Sequence, residues 1–417
     1  MTAQWTPMRW PGGWKDPATL GLLKGTAIDY LIVDKGDEWE AMRARARQQG
    51  LQVAEAGSAV VGVTAIKGEW PGVRMSRGGP GQAMGGPTGV PWVDSNGWAV
   101  RLAAVRHPES AVWVDAPPSG NLRITAGAYT LAMADSAAHG GRWVIALDAQ
   151  LAGGLAAAKP EAADIWKHIA ATAGFFAAHK GWNGYQPAAV AGVISDFAGP
   201  NEFRGQEMLN LLARAGLHYR ILRKDAIGSL AGLKAVIYAD SDAPTPELRK
   251  RVSAFVQAGG LLITVPAWGA LEGAAKPAVA PSAQLSERPS EHPSFSIHEF
   301  GKGRIAMAHR APDAYEMAND AVVLISHRYD LVRFWNGGAT GSYYAVSPDG
   351  KQAVAHLFFY ADRGPDSAAV RIAGPYRGVK ICTVDQPEVK AAHVELQPDA
   401  VEVHLPQVPQ YVALELS

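Results

Sequence analysis

A single cysteine, Cys382, stands in 417 residues, so no internal disulfide and no cysteine-based zinc cluster can form. Excess charge is missing too, since 39 Lys and Arg balance 39 Asp and Glu. There is no Lys/Arg-rich run either, so neither nucleic acid nor an anionic membrane surface is an expected partner. No stretch approaches 18 uncharged apolar residues, and no membrane-spanning helix is expected. The N-terminus Met-Thr-Ala-Gln-Trp-Thr-Pro lacks a cationic segment followed by an apolar one. A periplasmic or secreted location would require that a leader was removed; otherwise the cytoplasm is expected. Histidines are scattered with no His-x-x-x-His pair, and no Gly-x-Ser-x-Gly elbow is present. The run Gly78–Gly86 lacks the Gly-Lys-Ser/Thr ending of a phosphate loop. No metal and no cofactor are therefore expected.

What is present is a globular composition, 48% hydrophobic and 19% charged, long enough for two or three domains. Tryptophan is unevenly spread: eleven of thirteen lie at or before Trp182, and only Trp268 and Trp335 follow. The first part of the chain is thus chemically distinct.

Residues 8–182 alternate strand-like and helix-like segments, the pattern of a parallel α/β architecture. Strands are expected at the start of 8–14 and at 28–33, 51–54, 60–65, 72–75, 111–114 and 142–147. Helices are expected to end near 23 and to span 37–49, 98–105, 124–138 and 160–179. Six or seven strands in this space predict a (β/α)-barrel short of strands or helices over residues 1–184. Residues 76–97 are too long and glycine-rich for a simple connector, which points to a functional loop. Residues 185–336 carry a doubly wound pattern, with strands at 188–194, 218–222, 233–238 and 261–265 around helices 202–215 and 245–258. A loop over 270–293, a hairpin over 294–309 and a helix over 318–334 complete it. Residues 337–417 show strand periodicity without helical spacing, with a Pro-Asp-Gly turn at 348–350, and predict an antiparallel β-sandwich.

The middle segment Leu233-Lys234-Ala235-Val236-Ile237-Tyr238-Ala239-Asp240, with Ala254-Phe255-Val256-Gln257-Ala258-Gly259-Gly260-Leu261-Leu262-Ile263-Thr264, resembles a glutamine-amidotransferase-like domain. The ending Leu405–Leu416 is similar to the last strands of glycosidase C-terminal domains. This order of barrel, amidotransferase-like domain and β domain resembles the glycoside hydrolase family 42 β-galactosidases. The resemblance implies a carbohydrate substrate, hydrolysis without a cofactor, and oligomer contacts through the middle domain. That family carries an Asn-Glu pair after the fourth barrel strand as acid/base and a Glu after the seventh as nucleophile. Gly68-Glu69 stands where Asn-Glu would be, and the strand ending at Asp148 lies near the other position. Amidotransferase chemistry itself is excluded, because it needs a nucleophilic cysteine in the middle domain, and Cys382 falls in the β domain.

Glycoside hydrolysis needs two carboxyl groups flanking the bond, one as acid and one as nucleophile or base. In barrel enzymes these sit at the C-terminal ends of strands. Asp34, Glu55, Glu69, Asp94, Asp115 and Asp148 all fall at or shortly after strand-like runs. Glu69 is the expected acid, with Trp70 as an apolar neighbour that would raise its pKa. Asp148 is the expected partner and Asp115 the next choice, although each also precedes a helical stretch and can be its N-cap. Asp94 and Asn96 would bind sugar hydroxyls, or cap the following helix. Trp14, Trp70, Trp92 and Trp98 flank Pro, Gly and Asp in loops, where a flat ring can stack on a pyranose. Trp113 and Trp143 lie inside strands and read as core. The alternative function is a non-catalytic carbohydrate-binding protein on a degenerate glycosidase scaffold.

Overall fold

The computed structural model describes residues 5–73, 76–77, 83–84, 92–119, 123–269, 294–336, 338–361, 366–384, 391, 393–406 and 408–417, with 76–77 and 83–84 as backbone only. The glycine-rich run at 78–86 therefore falls largely outside the described residues, and the 270–293 segment does so entirely. The architecture is mixed α/β, with parallel sheets in the first two thirds of the chain and antiparallel sheets in the last.

Six parallel strand segments organise the first region: Pro7–Arg9, Tyr30–Val33, Gln52–Glu55, Val63–Lys67, Ala111–Asp115 and the interrupted strand Arg142–Trp143 plus Ile145–Ala146. The first pairs with the second, and the second with the third. The sixth pairs through Ile145–Ala146 with the first and through Arg142–Trp143 with the fifth. The fifth pairs in turn with the fourth. This order brings the last strand back against the first. Among the described residues the third and fourth strands do not pair.

Tyr30–Val33 and the centre of Ala111–Asp115 are apolar on both faces because both faces are covered. Tyr30, Ile32, Trp113 and Val144 form one cluster, against which Trp5, Ala54 and Val63 pack. Their alternate neighbours Leu31, Val33, Val112, Val114 and Ile145 join a larger core with the helices Glu40–Gln48, Gly97–Arg106, Ala126–Ala138 and Pro160–Ala178. Trp113 and Trp143 are buried to 2% and 3% exposure.

In the middle region five parallel strands run in the order Tyr219–Arg223, Ala191–Ser195, Ala235–Tyr238, Leu261–Thr264, Gly303–Ala308. The hairpin strand Phe295–Phe300 adds antiparallel at the edge. Helices Glu202–Arg214 and Ala314–Ile325 bury Met208, Leu212, Met317 and Ala321 on one face, while Pro246–Gln257 buries Leu248, Val252 and Val256 on the other. The sheet is doubly wound, as the alternation predicts.

The predicted helix over 318–334 requires correction. The helix is Ala314–Ile325, capped by Asp313, and Ser326 then takes a left-handed φ of 77° that ends it. The segment Val332–Phe334 is a strand that pairs with Ala368–Ala373. It is therefore part of a four-stranded antiparallel sheet.

The last region holds a five-stranded antiparallel sheet and a four-stranded one. Leu357, Val412 and Leu414 of the first pack with Val370, Ile372 and Val403 of the second in one core. The opposite face of the five-stranded sheet presents Val354, Phe358 and Tyr411 to Leu131, Ala134 and Phe175 of the first region's helices. At the predicted hairpin turn Gly350 has φ 72°, and Ser347 N–H donates to Gln352 O at 2.8 Å.

Candidate functional site

The C-terminal ends of the six parallel strands gather Arg9, Asp34, Glu55, Glu69, Asp115 and Asp148 at one end of the first region. Lys67 is the register partner of Asp115, so Glu69 follows the strand that lies directly beside the one Asp115 ends. Gly68 bridges them: its N–H donates to Asp115 O at 2.9 Å. A β-carbon at Gly68 would stand 2.4 Å from Val114 Cγ1, so only glycine lets the chain turn this close to the neighbouring strand.

Glu69 is exposed, but its backbone is clamped. Its N–H donates to Asn96 Oδ1 and its carbonyl accepts from Asn96 Nδ2, both at 2.9 Å. Asn96 is buried to 4% and is held in turn by Asp135, whose Oδ2 accepts from Asn96 N at 2.6 Å and from Nδ2 at 3.1 Å. Burial pushes the Asp135 carboxyl up to about 6, against the pull of the Asn96 hydrogen bonds. Tyr360, from the far end of the chain, donates its hydroxyl to Asp135 Oδ1 at 3.4 Å. A four-residue relay thus fixes where the Glu69 side chain starts.

Asp115 accepts from Arg9 Nη2 at 2.6 Å, each side chain about 30% exposed. Asp115 Oδ1 and Arg9 Nε are buried without a partner among the described residues. Asp148 has a different surrounding. It is buried to 2% and caps the helix Ala149–Ala156, with Oδ1 accepting from the Gln150 and Leu151 N–H groups at 3.0 Å. Its Oδ2 accepts from Ile124 N at 3.3 Å and the Tyr129 hydroxyl at 3.4 Å. The expected catalytic partner is thus the N-cap of this helix, with four donors around its carboxylate. Glu55 pairs with Arg43 at 3.6 Å.

The tryptophans expected as sugar platforms are mostly packed. Trp14 is buried to 8%, meets Trp10 edge-to-face at 5.3 Å and is a core residue. Trp70 turns inward, edge-to-face on Trp143 and Tyr129 at 5.0 and 5.3 Å. Burial against Trp70 is accordingly not the environment of the exposed Glu69. Trp92 donates Nε1–H to Asp94 Oδ1 at 3.2 Å, and the Arg214 guanidinium covers its ring at 3.8 Å. Trp98 is half-buried and packs against the middle region's core. Asn96 therefore contacts the backbone of Glu69, and Asp94 the indole N–H of Trp92.

Arg9, Asp135 and Tyr360 were not singled out by sequence reasoning. Arg9 carried a signal, a cation closing an apolar strand, and so did Asp135, a lone carboxylate inside the apolar helix Ala126–Ala138. Tyr360 carried none.

Among the described residues, two groups of side chains lie close enough together to hold a metal ion. Asp196, Asp240 and Asp242 converge at the strand ends of the doubly wound sheet, but Lys224 Nζ sits among them at 2.6, 3.1 and 2.9 Å and supplies the positive charge. Around His179, Cys382 and Glu415, the Glu415 carboxylate accepts from Trp182 Nε1 at 2.9 Å and Lys380 Nζ at 3.0 Å. No helix among the described residues is long and apolar enough to cross a membrane.

The parallel strands, the mixed sheet of the middle region and the antiparallel β region are similar in fold to solved structures of glycoside hydrolases. An α-L-fucosidase isoenzyme from Paenibacillus thiaminolyticus superposes over 100% of both chains with a TM-score of 0.58 at 9% identity. A cold-adapted β-galactosidase from Rahnella sp. R3 matches 91% of this chain and 65% of its own length, with a TM-score of 0.51 at 12% identity. A family 42 β-galactosidase from G. stearothermophilus aligns over 91% of this chain and 66% of its own, with a TM-score of 0.45 at 10% identity. The chain thus spans about two thirds of the galactosidases' length. These likenesses are of fold. No protein-family model matches the chain, and no curated protein sequence matches it.

Proposed function

We propose that this chain is a glycoside hydrolase that cleaves O-glycosidic bonds of a poly- or oligosaccharide with Glu69 and Asp115. The observation that carries the reading is their pairing in space: an exposed glutamate clamped by Asn96 beside an aspartate on the adjacent strand end. In this reading the six parallel strands form a shortened (β/α)-barrel that carries the active site over residues 1–184. The doubly wound unit over 185–336 supports it, and the two antiparallel sheets that follow form a β-sandwich. The glycosidase fold of the similar structures supports the assignment.

Glu69, exposed to solvent at the strand ends, is the acid that protonates the leaving oxygen. Asp115, paired with Arg9, supplies the carboxylate that attacks the anomeric carbon or activates a water. Arg9 holds one oxygen of that carboxylate, and the Asn96 clamp fixes Glu69 at its main chain. Asp148 supports the site by holding the Tyr129 hydroxyl and the helix that follows. Substituting Glu69→Gln or Asp115→Asn in a folded protein should lower hydrolysis of aryl glycosides and oligosaccharides by about 10²- to 10⁴-fold, the span of general acid–base catalysis. Activity retained in both variants would remove this pair from the mechanism.

A second reading is favoured by the ion pair itself, since Arg9 occupies one oxygen of Asp115. On that reading the mouth binds carbohydrate without cleaving it. Saturable binding of oligosaccharides with no product after long incubation would select it.

A further inference from the structure

A cavity of about 650 Å³ opens at the other end of the parallel strands from Glu69 and Asp115. Its walls are residues that precede or begin strands: Thr6 and Asp29 before the first and second, and Arg142 and Trp143 opening the sixth. The helix Pro160–Ala178 closes one side with Phe176, and Lys180 follows it at the rim. This volume is that of a small-ligand site, about 300–1,000 Å³. The mechanism above leaves it unused.

The polar groups in the cavity are few and unlike one another. Asp29 accepts from Thr6 N at 2.7 Å, which fixes one carboxylate oxygen. Arg142 donates Nη1–H to Gly141 O at 2.6 Å. Among the described residues neither Arg142 nor Lys180 forms an ion pair, although both line the cavity. Burial lowers the Arg142 pKa, with the attraction of Asp29 opposing it. A partly desolvated guanidinium that Asp29 attracts without contacting gains from an incoming anion. Planar N–H donors also match a carboxylate in geometry.

We propose that this cavity is a second ligand site, separate from the catalytic mouth, that takes a small hydroxylated carboxylate of the hexuronate type. Its carboxylate meets Arg142 and Lys180, its hydroxyls donate to Asp29, and its apolar ring face lies on the Met133 and Phe176 side chains. The site does not depend on the hydrolytic reading.

Isothermal titration of the full chain with glucuronate, glucose and inorganic phosphate tests it. Glucuronate should bind saturably, and glucose at least about tenfold more weakly, as expected for loss of a charge-assisted contact. Arg142→Met should weaken glucuronate binding by about tenfold or more, and Lys180→Met should weaken it as well. Glu69→Gln should leave it unchanged while reducing hydrolysis, which separates a failure here from a failure at the mouth. If Arg142→Met does not fold by circular dichroism, Lys180→Met decides, because Lys180 is exposed. The proposal is overturned by absent saturation with glucuronate, by wild-type affinity in the folded cation variants, or by loss of binding in Glu69→Gln. Phosphate binding as tightly as glucuronate overturns the assignment of a hydroxylated ligand.

Discussion

Asn96 is the residue on which the site's geometry turns. Its amide satisfies both backbone groups of Glu69 while its own N–H and Nδ2 rest on Asp135. Asn96→Ala leaves buried polar groups unpaired on both sides, each costing roughly 1–3 kcal/mol. Chemical denaturation should show a loss of about 2 kcal/mol or more, with kcat falling because the Glu69 main chain is released. An unchanged denaturation midpoint would contradict the clamp. Asp148 makes a contrasting case. Asp148→Ala removes an N-cap and orphans the Ile124 N–H, so stability should fall by roughly 2–3 kcal/mol. Asp148→Asn, which keeps an acceptor, should retain most of the activity in a folded protein; a loss as deep as that of Glu69→Gln would return Asp148 to the mechanism.

At the scale of elements, the doubly wound sheet brings the ends of three strands together around Lys224. Its ammonium answers Asp196, Asp240 and Asp242, and Asp240 is buried with Ser195 Oγ at 2.5 Å. Lys224→Met should cost roughly 3 kcal/mol in urea unfolding, because it leaves a buried carboxylate uncompensated. A neutral result would mean that Ser195 alone satisfies Asp240. The elements were largely legible in the sequence where one face or both is apolar at a regular period. Val112, Trp113 and Val114 read as a strand, and Leu248, Val252 and Val256 as a helix face. The error at 318–334 arose because Val332–Phe334 is too short to show its own period, and only the partner strand Ala368–Ala373 identifies it.

For the whole molecule, the packing of the five-stranded sheet on the first region's helices buries three histidines. Burial drives His139 and His356 down to about 3 and His218 to about 4. A histidine whose folded pKa is depressed contributes stability above its unfolded value near 6.5, and loses it as pH falls toward the folded pKa. Asp135, raised to about 6, acts the other way: its contribution is full below about 4 and is lost as pH rises through 6. Near pH 5 these groups give three protons taken up on unfolding against one released, a net of two. Stability should then fall by roughly 3 kcal/mol per pH unit on acidification around pH 5. Urea midpoints from pH 7 to 4.5 check this, and a flat profile would refute it.

The sequence by itself determined the alternation of strands and helices, the capping positions, the doubly wound middle and the exclusion of cysteine chemistry, because each is a local pattern of apolar spacing or composition. It also placed the acids at strand ends. Only the tertiary structure decided which of them meet. Arg9 and Asp115 are 106 residues apart and become partners through the return of the sixth strand between the first and fifth. Asp148 is claimed by Tyr129 and Ile124, and Tyr360 reaches Asp135 across 225 residues. A carboxylate's role depends on the donors around it, and those donors come from distant segments that no local period reveals.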